Sequence, residues 1–431
     1  MGFRESSPGG EDRDEGGRIL LPQGLDFIPS PCRSLPNPPP GTEFPSLVQP
    51  KARALKILIL KPSSLGDVIQ ALPVLRLLKL HLPKSEIYWW IDSALAPLIE
   101  GDPDLAGLLL FERKRWGHPQ HWPEMIRSIR RMRQQQFDWV IDLQCLARSA
   151  AFAWLADGQR LIGLDEVREG ARGFYDQAVR RASFHTHAVD WYLAVLKPLG
   201  VPVHHRFTWL PERPDHAAAL QAKWPLTPAR WIALQPGARW DNKRWPADSF
   251  SEVVRTLARE IPEVRFAILG GRDDQAVGQS IALAAPGNCL NLCGQTTLPE
   301  MIEWVRRCEL MVTNDTGPMH VAAALGKPIV ALFGPTEPRR TGPYGQTEDV
   351  LRLPHLPCSP CMTDHCTYSR PNECLKGIAP QAVLERVRQI MAGGAGPANF
   401  VNPQGCQTVA GGRAPATPPG PSPETECTPE G

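Results

Sequence analysis

The sequence predicts an α/β protein made of two doubly wound domains. Short apolar segments of buried-strand type, such as LKILILK (55–61), alternate with segments of helical periodicity. This alternation is typical of parallel sheets that are covered by helices on both faces. The pattern restarts after Gly200 with the strand segment RWIALQPG (230–237). The length of 431 residues also suits two domains, since one domain usually takes about 100–200 residues.

These patterns divide the chain into five parts. We place the first domain at residues 54–204 and the second at residues 205–379. A final helical segment lies within residues 380–393, and we expect it to pack back on the first domain. Residues 1–53 and 394–431 are rich in proline and glycine. Such segments bury too little apolar surface to offset their ordering entropy, so we expect two disordered tails.

Individual elements follow from periodicity and from turn-forming residues. Strands are expected over residues 55–61, 86–92, 138–144, 230–237, 264–271, 289–294, 308–314 and 328–334. Helices are expected over residues 67–81, 122–136, 147–155, 246–260, 273–285, 298–307, 318–325 and 380–391.

Composition excludes several classes of protein. The hydrophobic content of 42% describes a globular protein with an ample core, and the net charge of +2 argues against a dedicated nucleic-acid binder. No apolar run reaches the roughly 18 residues of a membrane span. The N-terminal stretch lacks the apolar segment of a signal peptide, so we expect a cytoplasmic protein.

Four of the eleven cysteines form a cluster with the spacing C-x2-C-x4-C-x7-C: Cys358, Cys361, Cys366 and Cys374. This spacing could hold zinc or an iron–sulfur cluster. Free thiols or a local disulfide are the alternative, and we expect no metal at the functional site. The other cysteines are too scattered for a secreted disulfide scaffold.

Ligands of doubly wound sheets bind at the loops that follow the strands. The first such loop, KPSSLGDVIQALP (61–73), offers the hydroxyls of Ser63 and Ser64, the small Gly66 and the carboxylate of Asp67. Asp67 at the start of a helix could be only an N-cap. At the end of the first strand it could also act as a general base towards a substrate hydroxyl.

The loop LQPGARWDNKRWPADSF (234–250) follows the first strand of the second domain. Lys243 and Arg244 stand just before a helix start, an arrangement that suits a bound anion such as phosphate. A solvated pair of cations is the alternative.

The segment NDTGPMH (314–320) follows another strand and opens another helix. Thr316 and Gly317 lie at its cap, where free backbone N–H groups and the helix dipole attract anions. Asp315 precedes them, and His320 lies in the first turn. An imidazole there is better suited to donate a hydrogen bond than to act as a base, although His320 could also be an interfacial histidine.

These three segments resemble the signature segments of glycosyltransferase family 9, the bacterial ADP-heptose:lipopolysaccharide heptosyltransferases, over roughly residues 55–391. The resemblance implies a GT-B fold, with two Rossmann-like domains facing a cleft, and an inverting reaction without a metal or another cofactor. It implies that Asp67 is the catalytic base and that Lys243 contacts the donor diphosphate. Asp315, Thr316, Gly317 and His320 would bind the diphosphate and the sugar, and Ser63, Ser64 and Gly66 would line the acceptor side.

The implied partners are an ADP-heptose donor and an anionic, lipid-linked sugar acceptor at the inner face of the membrane. A basic stretch, residues 113–133, could hold the protein there, although a solvated helix face would look the same. Transfer of another activated sugar to a different glycolipid or to a protein remains an alternative, as does a non-catalytic nucleotide-sugar-binding protein. Asp67 favours the enzyme, because a binding protein needs no carboxylate across the cleft.

Overall fold

The computed structural model describes residues 53–166, 168–224, 228–353 and 355–394. They belong to one compact unit that begins at Arg53. The two tails that we expect to be disordered lie outside the described residues, apart from Arg53 and Gly394.

The described strands form two sheets, and all of their pairings are parallel. The first sheet has the order β3-β2-β1-β4-β5-β6 and the second β11-β10-β7-β8-β9. The strands are β1 (Lys56–Leu60), β2 (Glu86–Asp92), β3 (Gly107–Phe111), β4 (Trp139–Asp142), β5 (Arg160–Asp165), β6 (Gln177–Arg180), β7 (Arg230–Gln235), β8 (Val264–Ile268), β9 (Cys289–Asn291), β10 (Leu310–Asn314) and β11 (Ile329–Leu332).

Helices connect the strands and cover the sheets. They are α1 (Leu65–His81), α2 (Arg113–Trp116), α3 (Trp122–Gln134), α4 (Ala147–Leu155), α5 (Ala188–Leu193), α6 (Pro214–Lys223), α7 (Ala247–Glu260), α8 (Gln275–Ala282), α9 (Leu298–Arg307), α10 (Gly317–Ala324), α11 (Pro338–Thr341), α12 (Glu373–Lys376) and α13 (Pro380–Gln389). None of the described helices is long and apolar enough to cross a membrane.

The fold class and all the predicted elements are confirmed within a few residues at their ends. The sequence analysis assigned neither β3, β5 and β6 nor α5 and α6. Strand β6 (QAVR) has few apolar residues and β5 is interrupted by Gly163, so their apolar pattern is weak. Strand β3 (GLLLF) is a clear apolar run that the sequence analysis did not assign.

The expectation that the last helix packs back on the first domain is wrong. The buried side chains of α13, among them Val383, Leu384 and Val387, belong to the apolar core of the second sheet. A polar contact also ties α13 to the second domain, because Arg388 pairs with Glu260 of α7 at 2.8 Å. The apolar stripe of α13 therefore completes the second domain.

The two sheets share one apolar core through α1 and α10, and the buried side chains of both helices belong to a single cluster. Both helices are apolar around most of their circumference, as expected for helices packed on several sides.

The strand order identifies the crevice of each sheet. In each sheet the order reverses at one point, between β1 and β4 and between β7 and β10. At such a switch point the loops that leave the two neighbouring strands run to opposite faces of the sheet, and a crevice forms between them. The segments that begin at Lys61, Pro236 and Asp315 follow β1, β7 and β10, so the predicted ligand loops lie at the two switch points.

Candidate active site

The first turn of α1 holds Asp67 through the serine that precedes the helix. Ser64 is the N-cap, and Asp67 is the third residue of the helix rather than the cap itself. The Ser64 amide and hydroxyl both donate to Asp67 Oδ2, at 3.0 and 2.7 Å. This is the carboxylate half of a capping box, so Asp67 has a structural role as well.

The other oxygen of Asp67 faces two polar groups. Tyr192 donates its hydroxyl to Oδ1 at 3.1 Å, and Lys61 Nζ lies 3.9 Å from the same oxygen. Burial acts to raise the pKa of Asp67, but Lys61, Ser64 and His320 together lower it below the ordinary value. Because 39% of the Asp67 side chain remains exposed, its desolvation is incomplete and these contacts outweigh it. The result is a carboxylate that is ionised and open to solvent.

Lys61 is a buried ammonium at the end of β1. It donates to the Leu143 carbonyl at 2.9 Å and lies 4.8 Å from the centre of the Tyr192 ring. Burial lowers the pKa of Lys61, whereas Asp67 and Asp142 act to raise it. Lys61 thus links the loops after β1 and β4 and places a positive charge behind Asp67.

In the second domain, Lys243 is held by an acid and an aromatic ring. Its Nζ donates to Asp315 Oδ2 at 2.6 Å and lies 4.4 Å from the centre of the Trp240 ring. Thr336 donates its hydroxyl to the same Asp315 oxygen, also at 2.6 Å. Asp315 is buried, and in this structure its carboxylate holds the Lys243 ammonium in place.

The start of α10 is open. Thr316 is the N-cap but makes no side-chain capping bond, and Thr316 and Gly317 are both partly exposed. Asn314, at the end of β10, fixes the loops next to this helix start. Its side-chain amide donates to the Pro236 carbonyl at 2.7 Å, and its side-chain oxygen accepts from Trp245 N at 3.1 Å. A helix start with unsatisfied N–H groups is suited to an anionic ligand.

His320 links the N-terminal end of α10 to the first domain. A β-carbon at Gly66 would lie 2.3 Å from His320 Cδ2, so the imidazole packs directly on the glycine backbone. A β-carbon at Gly317 would likewise lie 2.7 Å from Leu65 Cδ2. Burial lowers the pKa of His320, and Lys243 lowers it further, against Asp315 and Asp67. The ring is therefore neutral near pH 7 and can donate one hydrogen bond.

The structure thus brings Asp67, Gly66, His320, Gly317 and the pair of Lys243 and Asp315 to one cleft. Ser64 reaches this cleft through its bonds to Asp67, and Ser63 lies half-buried in the same loop. The segment LGGRDDQ (269–275) borders the Lys243 loop, because Asp274 fills the space beside Gly237.

The cysteine cluster lies behind the second-domain loops. All four cysteines are free thiols, and among the described residues no group of metal-ligating side chains is arranged to hold an ion. The loop is tied to the site through Asn242, which donates to the Thr363 carbonyl at 2.9 Å, and through Met362, whose amide donates to the Pro335 carbonyl at 2.8 Å.

The sequence analysis missed three polar residues of the cleft. Lys61 is the last residue of a predicted buried strand, and a lysine in such a position could have been recognised from the sequence. Tyr192 and His187 belong to α5 and its N-cap, which the sequence analysis did not assign. His187 is buried with its pKa lowered to about 3, chiefly by burial, and its Nε2 donates to the Gly342 carbonyl at 3.0 Å.

The fold and the site define a class of protein. Two doubly wound domains face one cleft, with a carboxylate on one side and a lysine beside an open helix start on the other. This arrangement is that of a GT-B glycosyltransferase.

Comparison with known proteins identifies the family. The pattern of "Glycosyltransferase family 9 (heptosyltransferase)" matches residues 125–370, more than half of the chain. The chain is 28% identical over 360 residues to lipopolysaccharide heptosyltransferase 1 of Pseudomonas aeruginosa, covering 78% of this chain and 98% of the relative. It is 29% identical over 368 residues to lipooligosaccharide heptosyltransferase 2 of Haemophilus ducreyi, covering 78% of this chain and 100% of the relative.

A solved family 9 glycosyltransferase from Veillonella parvula superposes with a TM-score of 0.67 at 26% identity, over 79% of this chain and 98% of that one. The protein belongs to glycosyltransferase family 9 and is a glycosyltransferase. Asp67 precedes the matched family segment, so its assignment depends on the geometry of the cleft.

Proposed function

We propose that the protein transfers heptose from ADP-L-glycero-D-manno-heptose to the inner core of lipopolysaccharide, with inversion at the anomeric carbon and without a metal. The names of the relatives support the sugar and the acceptor. The main support for the mechanism is the contact between His320 and Gly66, because through it the N-terminal end of α10 lies next to the start of α1, which contains Asp67.

The chemistry begins at the acceptor hydroxyl. Asp67 removes its proton through Oδ1, the oxygen that Ser64 leaves free. The acceptor oxygen then bonds to the anomeric carbon while the bond from that carbon to the diphosphate oxygen breaks. ADP leaves with the electron pair, and attack from the opposite face inverts the configuration.

The developing charge on the diphosphate is met by fixed donors. Lys243 supplies a positive charge, the start of α10 supplies backbone N–H groups, and neutral His320 supplies one hydrogen bond. Donors preorganised in this way contribute about 3–4 kcal/mol each to a transition state. This set of donors supports catalysis without a metal ion.

The proposed donor is tested by a screen of ADP-, UDP- and GDP-sugars. We expect ADP-heptose to raise the melting temperature most and to be the sugar that is transferred, with activity unchanged by EDTA. The absence of a shift with ADP-heptose would overturn the proposed donor, and loss of activity in EDTA would overturn metal independence.

We also propose that the protein works in the cytoplasm as a peripheral protein at the inner face of the membrane. The basic surface consists of exposed cations on and before α3: Arg113, Lys114, Arg115, Arg127, Arg130, Arg131 and Arg133. Two apolar side chains of the same helix are also exposed, Trp122 by 51% and Ile126 by 45%. Exposed cations with an interfacial tryptophan suit an anionic lipid surface.

Charge reversal tests this surface. Arg127→Glu with Arg130→Glu should weaken co-sedimentation with vesicles that contain anionic phospholipid. Arg255→Glu with Arg259→Glu, on an exposed face of α7, is the matched control and should bind as the wild type does. Equal binding by both double variants would rule out α3 as the membrane contact.

A further inference from the structure

The second domain also contacts α5 of the first domain, through segment 336–344, which follows β11. Tyr344 donates its hydroxyl to Asp190 Oδ1 at 2.5 Å, and the same hydroxyl lies 3.3 Å from His205 Nδ1. The Tyr344 ring packs against the His187 ring, with 4.8 Å between the ring centres. Tyr344 is therefore held by polar and aromatic contacts to α5 and to the chain that leads away from it.

His187 makes a second contact between the domains. It is the N-cap of α5, and its Nδ1 accepts from the Val189 amide at 3.2 Å. Because a backbone amide can only donate, Nδ1 carries no proton and Nε2 carries one. The Nε2–H group donates to the Gly342 carbonyl at 3.0 Å. His187 is buried and uses both ring nitrogens, so it fixes the start of α5 and segment 336–344 to each other.

Both ends of this connection reach the candidate active site. In the second domain, Thr336 donates to the same Asp315 oxygen as Lys243 does. In the first domain, α5 carries Tyr192, whose hydroxyl donates to Asp67 Oδ1 at 3.1 Å. Hydrogen bonds and two short backbone segments thus join the donor-side lysine to the proposed base.

The position of α5 matters for the orientation of the base. This helix has only six residues, and a helix of that length has little stability of its own. Its place in the molecule is therefore set by its contacts, those with segment 336–344 among them. A misplacement of about 1 Å in a catalytic group can lower a rate about a hundredfold. Contacts that fix α5 can thus act on catalysis through the Tyr192 hydroxyl.

We propose that Tyr344 and His187 are positioning residues for sugar transfer: they dock segment 336–344 of the second domain on α5 and so hold Tyr192 where its hydroxyl orients Asp67. This role rests on the proposed function, because it takes Asp67 as the base. It makes the geometry of the base depend on the domain that holds the donor.

Removal of single groups tests this role. Tyr344→Phe keeps the ring and should lower kcat about tenfold, the effect of one hydrogen bond to a charged group. His187→Asn keeps an N-cap acceptor but is too short to reach Gly342, and it should lower kcat to a similar extent. Both variants should leave ADP affinity by calorimetry unchanged. Tyr88→Phe is the matched control, because its ring packs on Phe137 on the opposite face of the first sheet from α5.

Two outcomes of this experiment count against the role. A kcat in Tyr344→Phe and His187→Asn equal to that of Tyr88→Phe would overturn it. Weakened ADP binding in the same two variants would show that segment 336–344 serves the donor site alone, and would overturn it as well.

Two further comparisons separate positioning from general stability. Asp190→Asn retains an oxygen that can accept from Tyr344 and should keep most of the activity, whereas Asp190→Ala should match Tyr344→Phe. Tyr192→Phe should lower kcat at least as much, and adding Tyr344→Phe to it should cause no further loss, because the effect passes through the Tyr192 hydroxyl. A double variant in which the two losses multiply would show that Tyr344 acts independently of Tyr192, and would refute the proposal.

Hydrogen exchange, which needs no turnover, separates this role from the proposed function. The peptide that spans α5 should exchange faster in Tyr344→Phe than in the wild type, and at the wild-type rate in Tyr88→Phe. Equal exchange in all three proteins would overturn the docking of α5. Faster exchange in Tyr344→Phe, with a wild type that transfers no heptose, would refute the proposed function and leave the docking standing. Heptose transfer with equal kcat in the wild type, Tyr344→Phe and His187→Asn would refute the positioning role alone.

Discussion

At the scale of single residues, the two oxygens of one carboxylate have different surroundings. Asp67 Oδ2 is occupied by the N-cap Ser64, while Oδ1 faces Lys61 and Tyr192. The capping bonds hold the side chain in one orientation, and the lysine keeps it ionised. Asp67 is thus not the N-cap but the third residue of a capping box, which uses Oδ2, and Oδ1 is the oxygen left for the proposed general base.

Replacement of Asp67 should separate chemistry from donor binding. Asp67→Ala should nearly abolish turnover, because it removes the carboxylate that is proposed to take the acceptor proton, and should leave ADP affinity intact. Lys243→Ala should instead weaken ADP binding as well as the rate, because it removes the charge that faces the diphosphate. Steady-state kinetics and calorimetry with ADP measure both effects. Full activity in Asp67→Ala would eliminate the assigned base.

The charge of Lys61 should be visible in the pH profile. A base with a lowered pKa stays active until the pH falls below the ordinary carboxylate range. Removing a positive charge about 4 Å away raises that pKa, so Lys61→Met should move the acid limb of kcat/KM upward by about one unit. Lys56→Met, at the opposite end of β1, is the control and should keep the wild-type profile. An acid limb that does not move in Lys61→Met would contradict the role of Lys61.

At the scale of elements, the close approach of α1 and α10 creates the site. Two helix starts meet because each contributes a glycine: Gly66 lies under His320, and Gly317 lies under Leu65. Neither glycine has the positive φ that would demand glycine for its backbone. Both are needed for space.

Alanine at Gly66 should therefore be harmful although alanine favours helices. Its β-carbon would displace the His320 ring, and overpacking of this kind costs about 1–3 kcal/mol. We expect Gly66→Ala to lower both the free energy of unfolding, measured in urea, and the rate of transfer. Gly287→Ala, whose β-carbon would meet nothing within 4 Å, should change neither. Wild-type behaviour of Gly66→Ala would show that the two helices can separate freely.

At the scale of the whole molecule, a buried ion pair holds the chain where it leaves the first domain. Arg76 of α1 donates to Asp102 at 2.7 Å, to Asp104 at 2.6 Å and to the Trp209 carbonyl at 3.1 Å. Helix α6, which follows a few residues later, packs on α9 of the second domain. The network therefore positions the crossover between the two sheets.

Loss of this network should destabilise the whole protein. Arg76→Met leaves the buried carboxylate of Asp102 without its partner, a change that typically costs about 3–5 kcal/mol. Arg53→Met, which removes an exposed pair with Asp138, should cost at most about 1 kcal/mol. Urea denaturation measures both. Similar losses in the two variants would mean that the Arg76 network contributes no more than a surface pair.

The sequence by itself determined the α/β class, the strand and helix that flank each ligand loop, and the predicted residues at the loop ends. These features depend on local periodicity and on turn residues, which are visible within about fifteen positions. The weak strand β6, α5 with Tyr192, and the side on which α13 packs were not visible there. The tertiary structure alone decided the strand order, and with it the contact of Gly66 with His320 and of His187 with Gly342. Those contacts join residues more than 150 positions apart, and only the packing of the two sheets around α1 and α10 brings them together.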